Sequence, residues 1–395
     1  MQVSPYTPGA GKIPDYLAGR DSILDNANDI FDSLKIGRIQ RPIIYYGLRG
    51  VGKTVVLIKI EEMAIEKDIE YCHIEVVHAK DFLTDLAAKL RSIIISLSKK
   101  EKVKELLKKC IGIFRSFCIK YVPDSGEWTF GVNEQIDPYC GKADSGIIMQ
   151  DLLDIFTAIG EVAQKANQPV CIFIDEIQNL KENAIESLIV SLHRISQLNY
   201  PLTLFAAGLP TLLGSLARGK SYAERLFEFV EIDSLNYQDT NSALVKPAKD
   251  VGVEYERTAI DKIFDYTRGY PYFIQLFGKC IWKFKEKNLI TAHSVAEGYV
   301  DFISELDHGF FKSRFDRTTP SEKEFLHSMV QIGYSPCPIS QVAEKMSREV
   351  KSISPIRASL IGKGLIYSNA YGAIAFSVPL FDDYLRRCYG WGRIG

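Results

Sequence analysis

Short runs of consecutive apolar residues alternate, over the first part of the chain, with longer stretches whose apolar positions recur every three or four residues. Pro42-Ile43-Ile44-Tyr45-Tyr46, residues 71–77, Val170-Cys171-Ile172-Phe173-Ile174 and residues 202–208 read as strands, with a shorter one at 228–233. Residues 21–34, 55–60, 81–97, 148–166 and 184–198 carry helical periodicity. Strands buried on both faces and separated by helices predict a parallel sheet with helices on both sides. Residues 128–132, bounded by Asp124-Ser125-Gly126 and Asp137-Pro138, read as a strand or hairpin. From residue 238 to about 312 the pattern is purely helical, and from 319 onward helices mix with two short strands.

A length of 395 residues exceeds one ordinary core, and these shifts in pattern divide it into three. The expected domains are an α/β domain over 1–235, a helical bundle over 236–315 and a mixed domain over 316–395. Lys99 to Lys109 is rich in lysine, but glutamates are interleaved and apolar residues recur at helical spacing, so a solvated helix face is expected there. With 46% hydrophobic and 25% charged residues the chain reads as globular, and its net charge of -1 gives no global attraction to nucleic acid or to an anionic membrane. The eight cysteines form no Cys-x-x-Cys pair, so neither disulfides nor zinc are expected. No basic-then-apolar leader opens the chain and no stretch approaches the ~20 apolar residues of a membrane span, so a cytoplasmic protein without membrane contact is expected.

Chemistry enters at the end of the first strand. Gly47-Leu48-Arg49-Gly50-Val51-Gly52-Lys53-Thr54 fits G-x-x-x-x-G-K-[ST] at every fixed position. Glycines let successive N–H groups turn inward on a polyphosphate; Lys53 adds a cation and the Thr54 hydroxyl a ligand for Mg²⁺. The helix that follows points its positive end at the same phosphates. ATP and Mg²⁺ are therefore the expected ligands. The strand 170–174 delivers a second element, Asp175-Glu176, to the sheet edge where ligands bind. Asp175 suits Mg²⁺ coordination with Thr54, and Glu176 suits activation of the attacking water.

Together these motifs resemble the AAA+ ATPases, in which Asp-Glu follows four hydrophobic residues. The long separation of Lys53 from Asp175 then implies an insertion at about 99–146. Pro14 with Gly19-Arg20-Asp21 is similar to the box that precedes the P-loop in the origin-recognition/initiator clade and in archaeal-type ATPases, where it packs near adenine. The resemblance makes Arg20 a nucleotide-side candidate and the 236–315 bundle a lid. It also makes Arg225 a candidate arginine finger acting on a neighbour's nucleotide, which implies a nucleotide-dependent homo-oligomer; a Glu224–Arg225 surface pair is the alternative, and Arg194 and Arg218 are weaker candidates. Two departures stand out. The strand 202–208 ends in Phe205-Ala206-Ala207-Gly208 without the family's polar sensor, and Tyr272 stands where initiators place a lid arginine. Gly269-Tyr270-Pro271 instead resembles the Gly-x-Pro element of signal-transduction (STAND) NTPases, which implies nucleotide contact by Tyr270 and Pro271 and slow hydrolysis.

In the last domain, Thr319-Pro320-Ser321 starts a helix, with Glu324 expected in the capping position; further helices at 341–346 and 347–361 and strands at 364–367 and 373–378 complete a winged-helix pattern. Arg348, Lys351, Arg357 and Lys363 lie on or beside its third helix, although Pro355 is expected to interrupt that helix. Beside a chain that only binds nucleotide without hydrolysing it, two functions stay open. One is an ATP-hydrolysing switch associated with double-stranded DNA through these four residues. The other is a STAND-like regulatory ATPase whose winged helix binds a protein partner.

Overall fold

The computed structural model describes residues 3–98, 103–122, 125, 128–130, 136–213, 223–370 and 372–390. They form two compact units. One comprises residues 20–47 and 53–232; the other comprises residues 1–19, 48–52 and 233–395.

The first unit is built on a five-stranded parallel sheet of order β2-β3-β4-β1-β5. Its strands are β1 (Ile43–Tyr46), β2 (Glu70–Glu75), β3 (Val170–Asp175), β4 (Leu202–Gly208) and β5 (Glu228–Glu231). β3 and β4 are buried at every residue, as their uninterrupted apolar runs require, while the edge strands β2 and β5 carry glutamates that discourage further pairing. Ile43 pairs with Phe205 and Phe173 with the same Phe205, so aromatic rings of β3 and β4 stack at 5.7 Å across the sheet. Helices α1 (Asp21–Lys35), α2 (Lys53–Glu66), α3 (Phe82–Leu97), α4 (Lys104–Tyr121), α5 (Ile148–Ala166) and α6 (Glu182–Gln197) accompany the sheet, and a single turn α7 (Ala223–Leu226) precedes β5.

The expected insertion joins this core. Phe114 and Phe117 of α4 are buried in one cluster with Leu152, Ile155 and Phe156 of α5. The expected strand is absent from residues 128–130, and 131–132 lie outside the described residues. The rings of Trp128 and Phe130 pack on Phe114 instead, with the Arg91 guanidinium over both. Asp151 is fully buried, yet its carboxylate accepts from the Tyr121 hydroxyl (2.7 Å), the Ser145 hydroxyl (2.7 Å) and the Gly146 N–H (2.9 Å), which offsets its desolvation.

In the second unit, α8 (Tyr237–Asp250), α9 (Arg257–Thr267), α10 (Pro271–Ile281), α11 (Ala292–Glu305) and the turn α12 (Lys312–Phe315) form the helical part. It is not purely helical: β6 (Glu254–Tyr255) and β7 (Leu289–Ile290), two residues each, pair in parallel. Tyr6 of the leader lies over Gly278 of α10, where a Cβ would come within 2.6 Å of its ring, and its hydroxyl donates to the Leu244 carbonyl at 2.6 Å.

The C-terminal part holds α13 (Pro320–Ile332), α14 (Ile339–Lys345), α15 (Val350–Gly362) and α16 (Phe381–Cys388), with a sheet of order β8-β10-β9. Its strands are β8 (Cys337–Pro338), β9 (Ile366–Ala370) and β10 (Ala373–Phe376). Two expectations are corrected. Glu322, not Glu324, closes the capping box with Thr319, because Thr319 is the N-cap and Pro320 the first helical residue. Pro355 does not end α15, which runs through it to Gly362. No helix among the described residues is long and apolar enough to cross a membrane. All eight cysteines are unpaired; six are buried, while Cys140 and Cys388 are exposed.

Candidate nucleotide-binding site

The loop after β1 turns twice through the left-handed region, at Gly50 (φ 81°) and Gly52 (φ 99°). Side chains with a Cβ resist that conformation, so the two glycines are what lets the chain curl between β1 and α2. A Cβ built on Gly52 meets nothing within 4 Å, so its restriction there is conformational and the space beside it is open. The start of the loop is pinned by the Gly47 N–H, which donates to the Gly208 carbonyl at the end of β4 (3.3 Å).

Lys53 begins α2 and is buried, its ammonium donating to the Gly47 carbonyl at 3.1 Å. Burial of a cation needs compensation, which an anion at the helix N-terminus would add to. One residue on, the Thr54 hydroxyl donates to Asp175 Oδ2 at 2.6 Å. Asp175 is buried at the end of β3, and its Oδ1 accepts the N–H of Glu176 at 2.8 Å. A hydroxyl and a carboxylate in contact form the hard-oxygen pair that Mg²⁺ prefers. The donor set fits the expected ion.

Glu176 leaves the strand in the left-handed conformation (φ 53°), unusual for a residue with a Cβ. Its carboxylate accepts from the side-chain amide of Gln178, whose own oxygen accepts the Leu209 N–H at 2.9 Å. The motif reading stopped at Asp175-Glu176 and missed Gln178. Its one sequence signal is a polar residue two positions beyond the glutamate.

Residues 48–52 belong to the second unit and are held within it. The Tyr270 hydroxyl donates to the Arg49 carbonyl at 2.5 Å. Burial pushes the Tyr270 phenol up to about 12, so it stays a donor, and burial lowers Arg314 from its ordinary value. Arg49 packs on Gly364, where a Cβ would come within 2.3 Å of its Nε. Tyr270 thus grips the loop backbone. Pro271 opens α10, and Tyr272 stacks on Phe310 at 5.0 Å.

The remaining candidates are spread more widely. Arg20 is buried just before α1, its carbonyl accepting the Leu24 N–H at 3.0 Å. Arg225 is exposed on α7, Arg194 is exposed on α6, and Arg218 lies outside the described residues. Leu48 is half-buried and Val51 buried in the loop. In the C-terminal part, Arg348 pairs with Glu324 at 2.9 Å and Lys363 with Glu322 at 2.6 Å, while Arg357 donates to Ser368 at 3.2 Å. Lys351 is exposed on α15.

A parallel five-stranded sheet with this loop after β1 and two carboxylates ending β3 defines a P-loop nucleoside triphosphatase domain. Residues 16–205 match the AAA ATPase domain family, and residues 308–385 match a domain of unknown function (DUF8462). The chain carries an AAA+ P-loop ATPase domain. No curated protein is significantly similar to the chain. Among solved structures, the Walker-type ATPase PABY2304 of Pyrococcus abyssi is similar over 94% of this chain and 96% of its own, at 12% identity and a TM-score of 0.57. The Aeropyrum pernix Orc1 protein in complex with DNA aligns over 95% and 94% at 13% identity with a TM-score of 0.45. The Thermotoga maritima RuvB Holliday junction branch migration motor aligns over 95% and 96% at 16% identity with a TM-score of 0.45.

Proposed function

We propose that the protein hydrolyses ATP to ADP and phosphate in the presence of Mg²⁺ and uses the nucleotide as a conformational switch. The contact of Thr54 with Asp175 at 2.6 Å carries this reading, since it joins the phosphate loop to the carboxylate of β3. The loop N–H groups and Lys53 hold the phosphates, with Arg20 on the nucleoside side. Thr54 and Asp175 would hold the ion, which would supply positive charge against the developing phosphate charge. Glu176 takes a proton from water as the water oxygen bonds to the γ-phosphorus and the bond to the β–γ bridging oxygen breaks. Arg225 serves a neighbouring subunit's nucleotide in a homo-oligomer. Hydrolysis is slow, because β4 brings no polar side chain of its own to the reaction.

Phosphate release by the purified chain tests this, with Lys53→Ala and Glu176→Gln as controls. Lys53→Ala loses nucleotide binding; Glu176→Gln keeps binding and loses hydrolysis. A Glu176→Gln variant as fast as the parent sinks the catalytic assignment.

We read the C-terminal part as a winged helix that meets double-stranded DNA with α15 and the turn between β9 and β10. The second reading, docking on a protein partner, gains support from the ion pairs of Arg348 and Lys363, which neutralise half of the basic set.

A further inference from the structure

We infer that Gln178 is a positioning residue for Glu176, doing from the β3 side what a polar residue at the end of β4 would otherwise do; this rests on hydrolysis by Glu176 as proposed above. β4 ends in Phe205-Ala206-Ala207-Gly208 and offers no polar side chain to the reaction, and its buried Thr203 hydroxyl has no partner. The polar group reaching that strand end is the amide of Gln178. Its orientation is fixed by chemistry. The Leu209 N–H can only donate, so the amide oxygen must face it, and the NH₂ is left facing the Glu176 carboxylate.

The surroundings are shaped for this bridge. Gly208 is the one residue type that leaves room: a Cβ there would stand 3.0 Å from Gln178 Oε1 and 2.9 Å from Ile177 Cγ2. The short turn Ile177–Asn179 that carries Gln178 is anchored at a second point, where Asn179 Nδ2 donates to the Val76 carbonyl beyond β2 at 2.7 Å. Ile177 is buried beneath it. Gln178 therefore ties Glu176, itself turned off the strand in a left-handed conformation, to a rigid neighbouring strand. A neutral amide donor occupies one carboxylate oxygen and fixes the rotamer, leaving the other oxygen to receive the water's proton. Misplacing a catalytic group by as little as 1 Å can cost about two powers of ten in rate.

The test measures kcat and KM for MgATP in the full chain for the parent, Gln178→Ala, Gln178→Glu, Glu176→Gln and the Glu176→Gln/Gln178→Ala double variant, with thermal melting of each. Gln178→Ala is expected to lower kcat about 10- to 100-fold with KM within about twofold. Gln178→Glu keeps the shape, so it guards against a folding defect; it replaces the donor with a second carboxylate and is expected to lose at least as much. The double variant is expected to be no slower than Glu176→Gln alone, because both changes remove one device. A purely structural Gln178 would instead give additive losses. A kcat for Gln178→Ala and Gln178→Glu equal to or above the parent's, or additivity in the double variant, overturns the inference. A parent that hydrolyses ATP through Glu176 but ignores Gln178 overturns this inference alone; a parent without hydrolysis overturns the proposed function and this with it.

Discussion

The Tyr270 hydroxyl donates to the Arg49 carbonyl at 2.5 Å, so a residue of the helical part holds the backbone of the phosphate loop. A carbonyl tied in this way constrains the peptide that follows it, and the next residue is Gly50, already in the left-handed region. The loop's binding geometry is therefore set by more than its own sequence. Tyr270→Phe removes one buried hydrogen bond worth about 1 kcal/mol, and is expected to weaken ATP binding about five- to tenfold. Gly50→Ala is harsher, since its Cβ would stand 2.0 Å from the Tyr270 oxygen at a φ that L side chains resist. Titration with a fluorescent ATP analogue should show partial loss in the first variant and no saturable binding in the second.

The pairing of Thr54 with Asp175 makes a prediction about the ion. In the parent, Mg²⁺ should tighten nucleotide binding, because Thr54 and Asp175 would hold the ion and its charge would favour the phosphates. Asp175→Asn keeps the size of the side chain and loses the charge. Its affinity for the analogue should then be the same with Mg²⁺ as with EDTA, while hydrolysis falls by about two powers of ten or more. Equal Mg²⁺ enhancement in parent and variant would remove Asp175 from the metal site.

What the sequence made legible follows from where the physics is local. β3 and β4 are buried on both faces, so their apolar runs announced them, and the phosphate loop is a contiguous motif. Residues 128–130 misled because aromatic content marks a half-buried surface as readily as a strand; Trp128 and Phe130 earn their burial by packing on Phe114. The two-residue strands β6, β7 and β8 are too short to carry a pattern. Gln178 was hidden for another reason: the N–H that orients it lies 31 residues away. The capping partner of α13 lies two residues before the expected Glu324, because Pro320 takes the first helical position and Glu322 the third.

Glu322 predicts a pH dependence. It is buried, which opposes its charge, but the Lys363 ammonium, the Ser359 hydroxyl and the Thr319 N–H all donate to it and hold it down at about 2. A carboxylate depressed in the folded state contributes stability that is fully present above its ordinary value of 4.5 and is lost as pH falls from there towards about 2. Glu322→Gln should therefore cost about 1–3 kcal/mol at neutral pH, and the parent and variant should converge as the solution is acidified through that window. Melting curves of both proteins from pH 7 to pH 3 check it. A constant gap across the range would mean that the capping geometry, not the charge, carries the contribution.

Lys351 and Lys363 should separate DNA contact from stability in the C-terminal part. Lys363 reaches both Glu322 (2.6 Å) and the Arg317 carbonyl (2.9 Å), so Lys363→Ala strands a buried carboxylate and should lower the melting temperature by several degrees. Lys351 is exposed, and Lys351→Ala should leave melting unchanged. If α15 lies against duplex DNA, Lys351→Ala removes one phosphate contact. The plot of log affinity against log salt then loses about 0.9 of its slope, uniformly across DNA sequences. Lys363→Ala should leave that slope alone, since its ammonium is already engaged. Binding measured by fluorescence anisotropy on a labelled duplex at two or more salt concentrations, with and without ATP, decides the matter. Salt-sensitive binding that responds to Lys351 supports the DNA reading; no duplex binding by the parent at low salt, under either nucleotide condition, leaves this domain to a protein partner.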